Sequence, residues 1–246
     1  MNRNIWLLNL LFIANISSKI HESEISYRKC IVDDRNIQAV AYVGTRPQGG
    51  IVQLQLLQIE GLESHHYVLE IGHGALTAGI PIMSYLENGH YVGIDPNQWL
   101  MHQTLLITEN QQVVKEKSPI FLYNTDFDAS SCGIVFDYIF AHSIMSHAAY
   151  WQLPLFFEKT SKVLKKNCKV IFSIRLTETN DYGNEGAAQE THAQEWQYPG
   201  CSFFDKSTVI KEASKYFKTI EHRKNFTAII TADNPRACHD WFVLTK

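Results

Sequence analysis

Two carboxylates and two glycines lie in one stretch of the chain and could together hold a polar ligand. Glu70 ends an apolar run, Gly72 and Gly74 follow at once, and Asp95 ends the next apolar run. Glycine lets the backbone turn sharply and approach a ligand with no Cβ in the way. A carboxylate accepts hydrogen bonds from ligand hydroxyl groups. These four residues are therefore the first candidates for a binding site.

The elements that must position these residues are a strand, a tight turn, a helix and a second strand. Residues 67–71 are a short apolar run typical of a buried parallel strand, interrupted by Glu70. A loosely helical apolar pattern covers residues 80–86 and ends at an Asn-Gly stop signal. Residues 91–94 are the next strand. Ligands bind at the carboxyl ends of strands in open α/β sheets, so Glu70, the glycine turn and Asp95 are expected to face one crevice.

Two classes of ligand suit such a crevice. A nicotinamide-binding domain also has an acid about 20 residues after a glycine turn, where it holds ribose hydroxyls. Its G-x-G-x-x-G fingerprint is incomplete here, because Thr77 stands at the third glycine position. The chain also offers no large second domain for a hydride donor or acceptor. An NAD(P)-dependent oxidoreductase stays open as an alternative.

The second class binds S-adenosyl-L-methionine (SAM), and four segments together resemble the class I SAM-dependent methyltransferases. In chain order they are EIGHG at 70–74, YVGID at 91–95, NTDF at 124–127 and DYIFAHS at 137–143. The resemblance extends from residue 61 to the C-terminus. Leu76 departs from it, because many members have a third glycine there, and its side chain is expected to point into the core of a reshaped turn.

The resemblance implies contacts between the first two segments and SAM or its product, S-adenosyl-L-homocysteine (SAH). The backbone of Gly72, His73 and Gly74 would lie against the methionine and ribose. Glu70 would orient that turn or the amino group of the cofactor. Asp95 would accept charge-assisted hydrogen bonds from both ribose hydroxyls and also cap the next helix.

The later segments are expected to hold the adenine. By the same resemblance Asp126 accepts a hydrogen bond from the adenine amino group, and the Phe127 amide meets a ring nitrogen. Pro96, expected to begin the helix after the second strand, completes the predicted cofactor site with Ala141 and His142. The sequence shows no counterpart of the carboxylate-rich metal site of metal-dependent members, so no metal is expected.

Histidines are the natural candidates for a base that removes a proton near neutral pH. His147 and His142 follow the fourth strand, where such enzymes place the methyl acceptor, and His147 is the first choice. The alternative is that His147 packs against or caps the following helix. His73 is expected to point at the cofactor or at solvent, and His192 in a long loop is a further candidate.

Composition limits the remaining classes of function. The chain has 246 residues, a formal net charge of -3 and five cysteines. This length suits one α/β domain with an appendage. The absence of a basic block in the sequence disfavours binding to a nucleic-acid backbone. The cysteines form no C-x-x-C pair, which argues against zinc and a disulfide framework and for reduced thiols in the cytoplasm.

The chain is predicted to divide into an N-terminal helical cap or lid, residues 1–60, and a SAM-binding domain, residues 61–246. The domain carries a substrate-side loop insert at 177–207. Residues 5–14 are strongly apolar but too short to span a bilayer. They are either a secretory signal or a helix docked on the domain or on a second subunit. The docked helix is favoured, with a possible homodimer through it.

The predicted fold is a Rossmann-like class I methyltransferase α/β fold. Its sheet is mostly parallel and seven-stranded, with helices on both faces and a C-terminal antiparallel strand pair. Later strands are predicted at 120–123, 134–141, 169–174, 219–230 and 241–245. Helices are predicted at 51–59, 99–107, 153–164 and 208–217. Residues 45–50 read as a loop whose Gly49 and Gly50 either adjoin the cofactor or only pack, and residues 37–43 are either a helix or a strand.

The expected function is methyl transfer from SAM to an oxygen or nitrogen atom of a small, partly apolar or aromatic molecule. The cap and the 177–207 insert are long enough to enclose a ligand. The aromatic residues of the insert either form an apolar substrate wall or only anchor the loop to the core; they are Trp196, Tyr198, Phe203 and Phe204. Neither a nucleic acid nor a membrane is expected as a partner. A place in specialised metabolism rests on analogy. A non-catalytic SAM-binding domain with a regulatory role stays open, because Leu76 replaces a glycine and no base is certain.

Overall fold

The structure is a computed structural model that describes residues 28–44, 47–178, 202–224, 226 and 239–246. The apolar segment at 5–14, His192, Trp196, Tyr198 and most of the 177–207 insert lie outside the described residues. No helix within the described ranges is both long and apolar enough to cross a lipid bilayer.

Seven of the nine strands in the described residues form one mixed sheet. In chain order the nine strands are β1 (Val68–Ile71), β2 (Tyr91–Ile94), β3 (Ile120–Leu122), β4 (Phe136–Ala141), β5 (Leu164–Ile174), β6 (Leu176–Thr177), β7 (Phe204–Asp205), β8 (Thr219–His222) and β9 (Asp240–Thr245). The sheet order is β3-β2-β1-β4-β5-β9-β8, and β6 pairs with β7 separately. The first five strands are parallel, whereas β9 is antiparallel to both β5 and β8. This confirms the predicted sheet.

Helices cover both faces of this sheet, as predicted. They are α1 (Ile37–Val43), α2 (Pro47–Ile59), α3 (Gly79–Tyr85), α4 (Gln98–Thr104), α5 (Thr108–Lys117), α6 (Gln152–Val163) and α7 (Lys206–Ala213). Alternate residues of a strand face opposite sides, and β9 shows both environments. Trp241 and Val243 pack with α2 and α3, whereas Phe242 and Leu244 pack with α6 and α7. An apolar core therefore packs against each face of the sheet.

The sheet has its topological switch point between β1 and β4. From β1 the chain moves to β2 and β3 on one side, and it later returns to β4 on the other side. The connections diverge there, which opens a crevice at the carboxyl ends of these strands. The glycine turn after β1 and the histidine segment after β4 both begin at this crevice.

The structure decides between the two alternatives for residues 37–43 and corrects part of the loop predicted at 45–50. Residues 37–43 form a helix, and α2 begins at Pro47, inside the stretch predicted as a loop. Proline tolerates the first helical turn, because its missing N–H would have no partner there. Gly50 is a buried packing residue of this helix, since a Cβ on it would lie 1.8 Å from the Thr77 carbonyl oxygen.

The prediction that Pro96 begins the helix after β2 is wrong, because α4 begins at Gln98. The Asp95 carboxylate accepts a hydrogen bond from the Asn97 amide at 2.8 Å, which holds the intervening residues in a turn. Asn97, not Asp95, therefore occupies the cap position of α4. The helix also ends at Thr104, and α5 follows as a separate helix.

The segment after α6 continues directly into the sheet. β5 begins directly at Leu164, and Lys165 pairs with Asp137 of β4 at 2.7 Å. The register between β4 and β5 shifts at this point, where Asn167 has a φ of 63°. At the other end of the sheet, β8 ends at His222, short of the predicted 219–230.

Candidate functional site

The glycine turn after β1 is held by close contacts that only glycine allows. Gly72 and Gly74 both have positive φ, 77° and 49°. The Gly72 amide donates to the Ile94 carbonyl at 2.7 Å, which joins the turn to β2. A Cβ on Gly72 would lie 1.9 Å from Ile144 Cδ1, and one on Gly74 would lie 2.8 Å from Val43 Cγ1. The turn is thus enclosed by the segment after β4 and by the end of α1.

Asp95 ties this turn to the end of β2. Its side chain is fully buried. Its two carboxylate oxygens accept hydrogen bonds from the backbone amides of Gly74, at 2.9 Å, and Asn97, at 2.8 Å. Burial raises the pKa of this carboxyl to about 6, although both amide bonds oppose the rise. Each carboxylate oxygen has two lone pairs, so each keeps one for a ligand hydroxyl.

Glu70 lies beneath the turn, on the side of the sheet that faces α3. It is 4 % exposed and accepts a hydrogen bond from the Tyr91 hydroxyl. Burial raises its pKa to about 7, and the charge of Asp95 adds to the rise while the Tyr91 hydrogen bond opposes it. A Cβ on Gly79 at the start of α3 would lie 3.4 Å from the Glu70 carboxylate. These contacts connect Glu70 to the structure of the turn.

Glu70→Gln is expected to reduce the pH dependence of stability. The carboxyl pKa is higher in the folded protein than its ordinary value of 4.5, so its stabilisation is complete below about pH 4.5. That stabilisation is lost as the pH rises through about 7. Urea unfolding between about pH 5 and about pH 8 should therefore show a steeper loss of unfolding free energy in the wild type than in Glu70→Gln. Glu63→Gln, at an exposed site, serves as the control, and equal slopes in all three proteins would contradict the assignment.

His73 does not point at solvent, which was one of the two directions expected for it. The side chain is 2 % exposed, and its Nδ1 lies 3.1 Å from the Gly74 carbonyl oxygen. It packs edge-on against Phe121 at 5.1 Å and fills the space above Gly93, where a Cβ would lie 2.9 Å from its ring. Burial lowers the pKa of His73 to about 4, so the ring is neutral near pH 7.

A cavity at the switch point is lined by residues from the first three motif segments and from the segment that follows the fourth. Five residues of the predicted site lie on its wall, namely Gly72, Asp95, Pro96, Phe127 and His147. Its volume is about 30 Å³, room for about two water molecules. A nucleoside therefore requires its walls to move apart. The predicted site residues that do not line it are Glu70, His73, Gly74, Asp126, Ala141 and His142.

Asp126 and Phe127 are adjacent but face different environments. Phe127 is buried with a φ of 61° and packs edge-on against Phe156 at 5.9 Å. The Asp126 side chain is 48 % exposed and lies 3.4 Å from Lys159 Nζ on α6. In this structure Asn124 and Thr125 line the cavity in place of Asp126.

The two histidines after β4 also have different positions. His147 ends a single 3-10 turn, Met145–His147, and lies on the cavity wall. His142 is half-buried directly after β4, outside the cavity lining, and stacks on the Trp241 ring at 5.0 Å and 12°. Burial and the neighbouring His239 lower the pKa of His142 to about 3. Ala141 is fully buried at the end of β4.

Ser173 and His239 join this edge of the sheet and were not predicted as site residues. Ile174 at the end of β5 pairs with Asp240 at the start of β9, because the two strands are antiparallel. This pairing places His239 at the same edge as the end of β4, 5.3 Å from His142 between ring centroids. The predicted antiparallel C-terminal pair was the available signal, since such a strand must begin at the carboxyl edge of its neighbour.

The structure is similar to those of known methyltransferases. No family model matches the sequence, and no curated protein matches it. Magnesium protoporphyrin IX methyltransferase from Synechocystis, solved with SAH, is 12 % identical with a TM-score of 0.53, and the match covers 89 % of this chain and 90 % of that one. A TehB-like SAM-dependent methyltransferase from Corynebacterium glutamicum is 12 % identical with a TM-score of 0.53, over 85 % and 94 % of the two chains.

A third similar structure is an O-methyltransferase family protein from Burkholderia thailandensis. It is 9 % identical with a TM-score of 0.51, and the match covers 80 % of this chain. The chain described here spans only 57 % of the length of that protein. At such identities the similarity concerns the fold, which is the Rossmann-like fold of class I SAM-dependent methyltransferases.

Proposed function

We propose that this protein transfers a methyl group from SAM to an oxygen or nitrogen atom of a small, partly apolar or aromatic molecule. One observation carries the proposal. Gly72, Asp95 and Phe127 come from three separate motif segments, His147 follows the fourth, and all four residues line one cavity at the switch point of a methyltransferase fold. Ligands of open α/β sheets bind at this position.

The residues of the cavity suit a nucleoside cofactor. Asp95 has one lone pair on each oxygen for the two ribose hydroxyls, beyond its bonds to backbone amides. Ile94, Pro96 and Phe127 offer apolar surface for a flat base. SAM, when bound, supplies an electrophilic methyl group on a positively charged sulfur. The protein must hold the cofactor and acceptor in line, and such positioning can contribute up to roughly 7–11 kcal/mol in ideal cases.

A basic residue near the methyl acceptor would receive the proton that the acceptor loses. An acceptor hydroxyl or protonated amine loses its proton when it is methylated, and a well-placed base contributes about 10²–10⁴-fold to such steps. His147 lies on the cavity wall, and His142 directly follows β4. Both are therefore proposed as bases, with a packing role for His147 as the alternative.

The nature of the acceptor follows from what surrounds the site. The net charge of -3 disfavours polyanions such as nucleic acids. The 177–207 insert begins and ends at the paired strands β6 and β7, where Leu176 is in register with Phe204. With the 1–60 cap, this insert would enclose a small molecule and exclude water. We place the enzyme in the cytoplasm, where SAM is available, and by analogy in specialised metabolism.

SAM and SAH are expected to stabilise the purified protein, whereas NAD is not. A ligand at 100 times its Kd adds about 2.7 kcal/mol to the free energy of unfolding when it binds only the folded state. Thermal unfolding with each ligand, followed by calorimetric titration, measures this effect. Stabilisation by NAD alone would support the oxidoreductase alternative. Binding of SAM without turnover of any acceptor in a chemically broad panel would support a non-catalytic regulatory domain.

A further inference from the structure

Ser173 lies between two imidazole rings at the carboxyl edge of the sheet. Its Oγ is 3.0 Å from His142 Nδ1 and 3.4 Å from His239 Nδ1. The same Oγ accepts the Ser143 backbone amide at 2.7 Å. Ser173 is fully buried near the end of β5, His142 follows β4 and His239 precedes β9. Three neighbouring strands thus bring one hydroxyl and two imidazoles together.

The hydrogen-bonding capacity of Ser173 limits the protonation of these rings. A serine hydroxyl has one hydrogen to donate and two lone pairs, and the Ser143 amide occupies one lone pair. Ser173 can therefore donate to one imidazole and accept from the other. Burial lowers the pKa of His142 to about 3 and that of His239 to about 4, so both rings are neutral near pH 7. The two rings must then have opposite tautomers.

The two imidazole rings differ in their exposure and in the contacts that orient them. His142 is half-buried directly after β4, whereas His239 is only 7 % exposed. Stacking on Trp241 at 5.0 Å fixes the plane of the His142 ring. Its Nδ1 is the nitrogen held by Ser173, which leaves Nε2 as the nitrogen that can meet an acceptor. Besides His142, Arg175 and His147 also face His239, and after burial both contribute to lowering its pKa.

We propose that Ser173 and His239 hold His142 as its Nδ1–H tautomer, so that the Nε2 lone pair takes the proton released by the methyl acceptor. His142 Nδ1–H donates to Ser173 Oγ, and the Ser173 hydroxyl donates to His239 Nδ1. His142 is then the catalytic residue, and the other two are positioning residues. The inference rests on the proposed function. A base oriented by a third group in this way recurs in enzymes that activate nucleophiles.

The proton step balances without another reactant. As the acceptor atom bonds to the methyl carbon, the methyl–sulfur bond breaks and its electron pair stays on sulfur. The acceptor O–H or N–H bond then breaks, its electron pair stays on the acceptor, and the proton bonds to His142 Nε2. The resulting imidazolium keeps its Nδ1–H donated to Ser173, and the Ser173 hydrogen stays directed at His239.

Nitrogen-15 NMR of histidine-labelled protein near neutral pH tests the tautomers directly, because protonated and bare ring nitrogens differ widely in chemical shift. We expect a protonated Nδ1 and a bare Nε2 for His142, assigned by the signals that vanish in His142→Gln. Ser173→Ala and His239→Leu should both move His142 toward the Nε2–H tautomer. His239→Asn should restore the wild-type pattern, since its side-chain oxygen can accept from Ser173. His90→Gln, at the other edge of the sheet, should leave the pattern unchanged.

An Nε2–H tautomer of His142 in the wild type would overturn the proposal, as would an unchanged pattern in Ser173→Ala and His239→Leu. With an acceptor in hand, kcat of Ser173→Ala should fall by roughly 10²-fold and that of His239→Asn much less. Calorimetric titration of the same samples with SAH separates failure of the proposed function from failure of this inference. Failure of the wild type to bind SAH would overturn the proposed function, whereas SAH binding with the opposite tautomer would overturn only this inference.

Discussion

Asp95→Ala is expected to lower the affinity for SAM and SAH by at least tenfold. The carboxylate lies on the cavity wall at the end of β2 with one lone pair left on each oxygen. Hydrogen bonds to a charged group contribute about 1.5–3 kcal/mol, and about 1.4 kcal/mol corresponds to a tenfold change in affinity. The substitution also frees the Gly74 and Asn97 amides, which loosens the glycine turn. Calorimetric titration measures the affinity, and thermal unfolding reports the accompanying loss of stability.

Two matched variants separate ligand binding from support of the turn. Asp95→Asn keeps the shape of the side chain and one acceptor oxygen but removes the charge, so an intermediate loss is expected. Asp126→Ala removes an acid that is 48 % exposed and faces Lys159, outside the cavity lining. The affinity for SAM and SAH should change by no more than about twofold, because an exposed ion pair contributes only about 0.2–1 kcal/mol. A tenfold loss in Asp126→Ala would instead support the adenine contact implied by the sequence resemblance.

Gly50→Ala is expected to destabilise the protein by roughly 1–3 kcal/mol, the usual cost of overpacking a well-packed interior. In an exposed helix the same substitution would stabilise by about 1 kcal/mol, because alanine is the better helix former. Here the added Cβ would lie 1.8 Å from the Thr77 carbonyl oxygen and 2.6 Å from its carbon. The obstacle is backbone, so no side-chain rotation relieves it, and α2 must move away from the start of α3.

The melting temperature gives a measurable readout of this contact. For a chain of this size, each 1 kcal/mol corresponds to roughly 2–4 °C. Gln55→Ala on the same helix, at a partly buried position, is the control and should change stability by no more than about 0.5 kcal/mol. Stabilisation in Gly50→Ala would mean that α2 does not contact Thr77, and the packing of α2 described above would then be wrong.

Local sequence patterns were sufficient for the elements that form the crevice. Residues 68–71 and 91–94 are short apolar runs, and burial on both faces requires this composition, so β1 and β2 could be predicted from it. Asp95 and the glycine turn follow these strands directly. Parallel strands end at one edge, so their meeting there followed without any knowledge of long-range contacts. The core position of Leu76, fully buried with a φ of 55°, also agrees with the sequence expectation.

The directions of polar side chains depended on partners far along the chain. Asp126 turns to Lys159 on α6, a residue that no pattern near Asp126 indicates. The His73 ring packs against β2 because Gly93 of that strand leaves room for it. Such choices depend on which volumes neighbouring elements leave empty, and this information is absent from the local sequence.

The amino-acid sequence by itself determined the order in which the candidate site residues follow the strands. A glycine turn follows β1, an acid follows β2, and histidines follow β4. Tertiary structure alone decided that His142, Ser173 and His239 meet, since β9 runs antiparallel between β5 and β8. It also decided that the Asp95 carboxylate accepts hydrogen bonds from the Gly74 and Asn97 amides. Backbone propensity and apolar periodicity are local, whereas hydrogen-bond pairing and close packing require residues that are distant in sequence to come within a few ångströms.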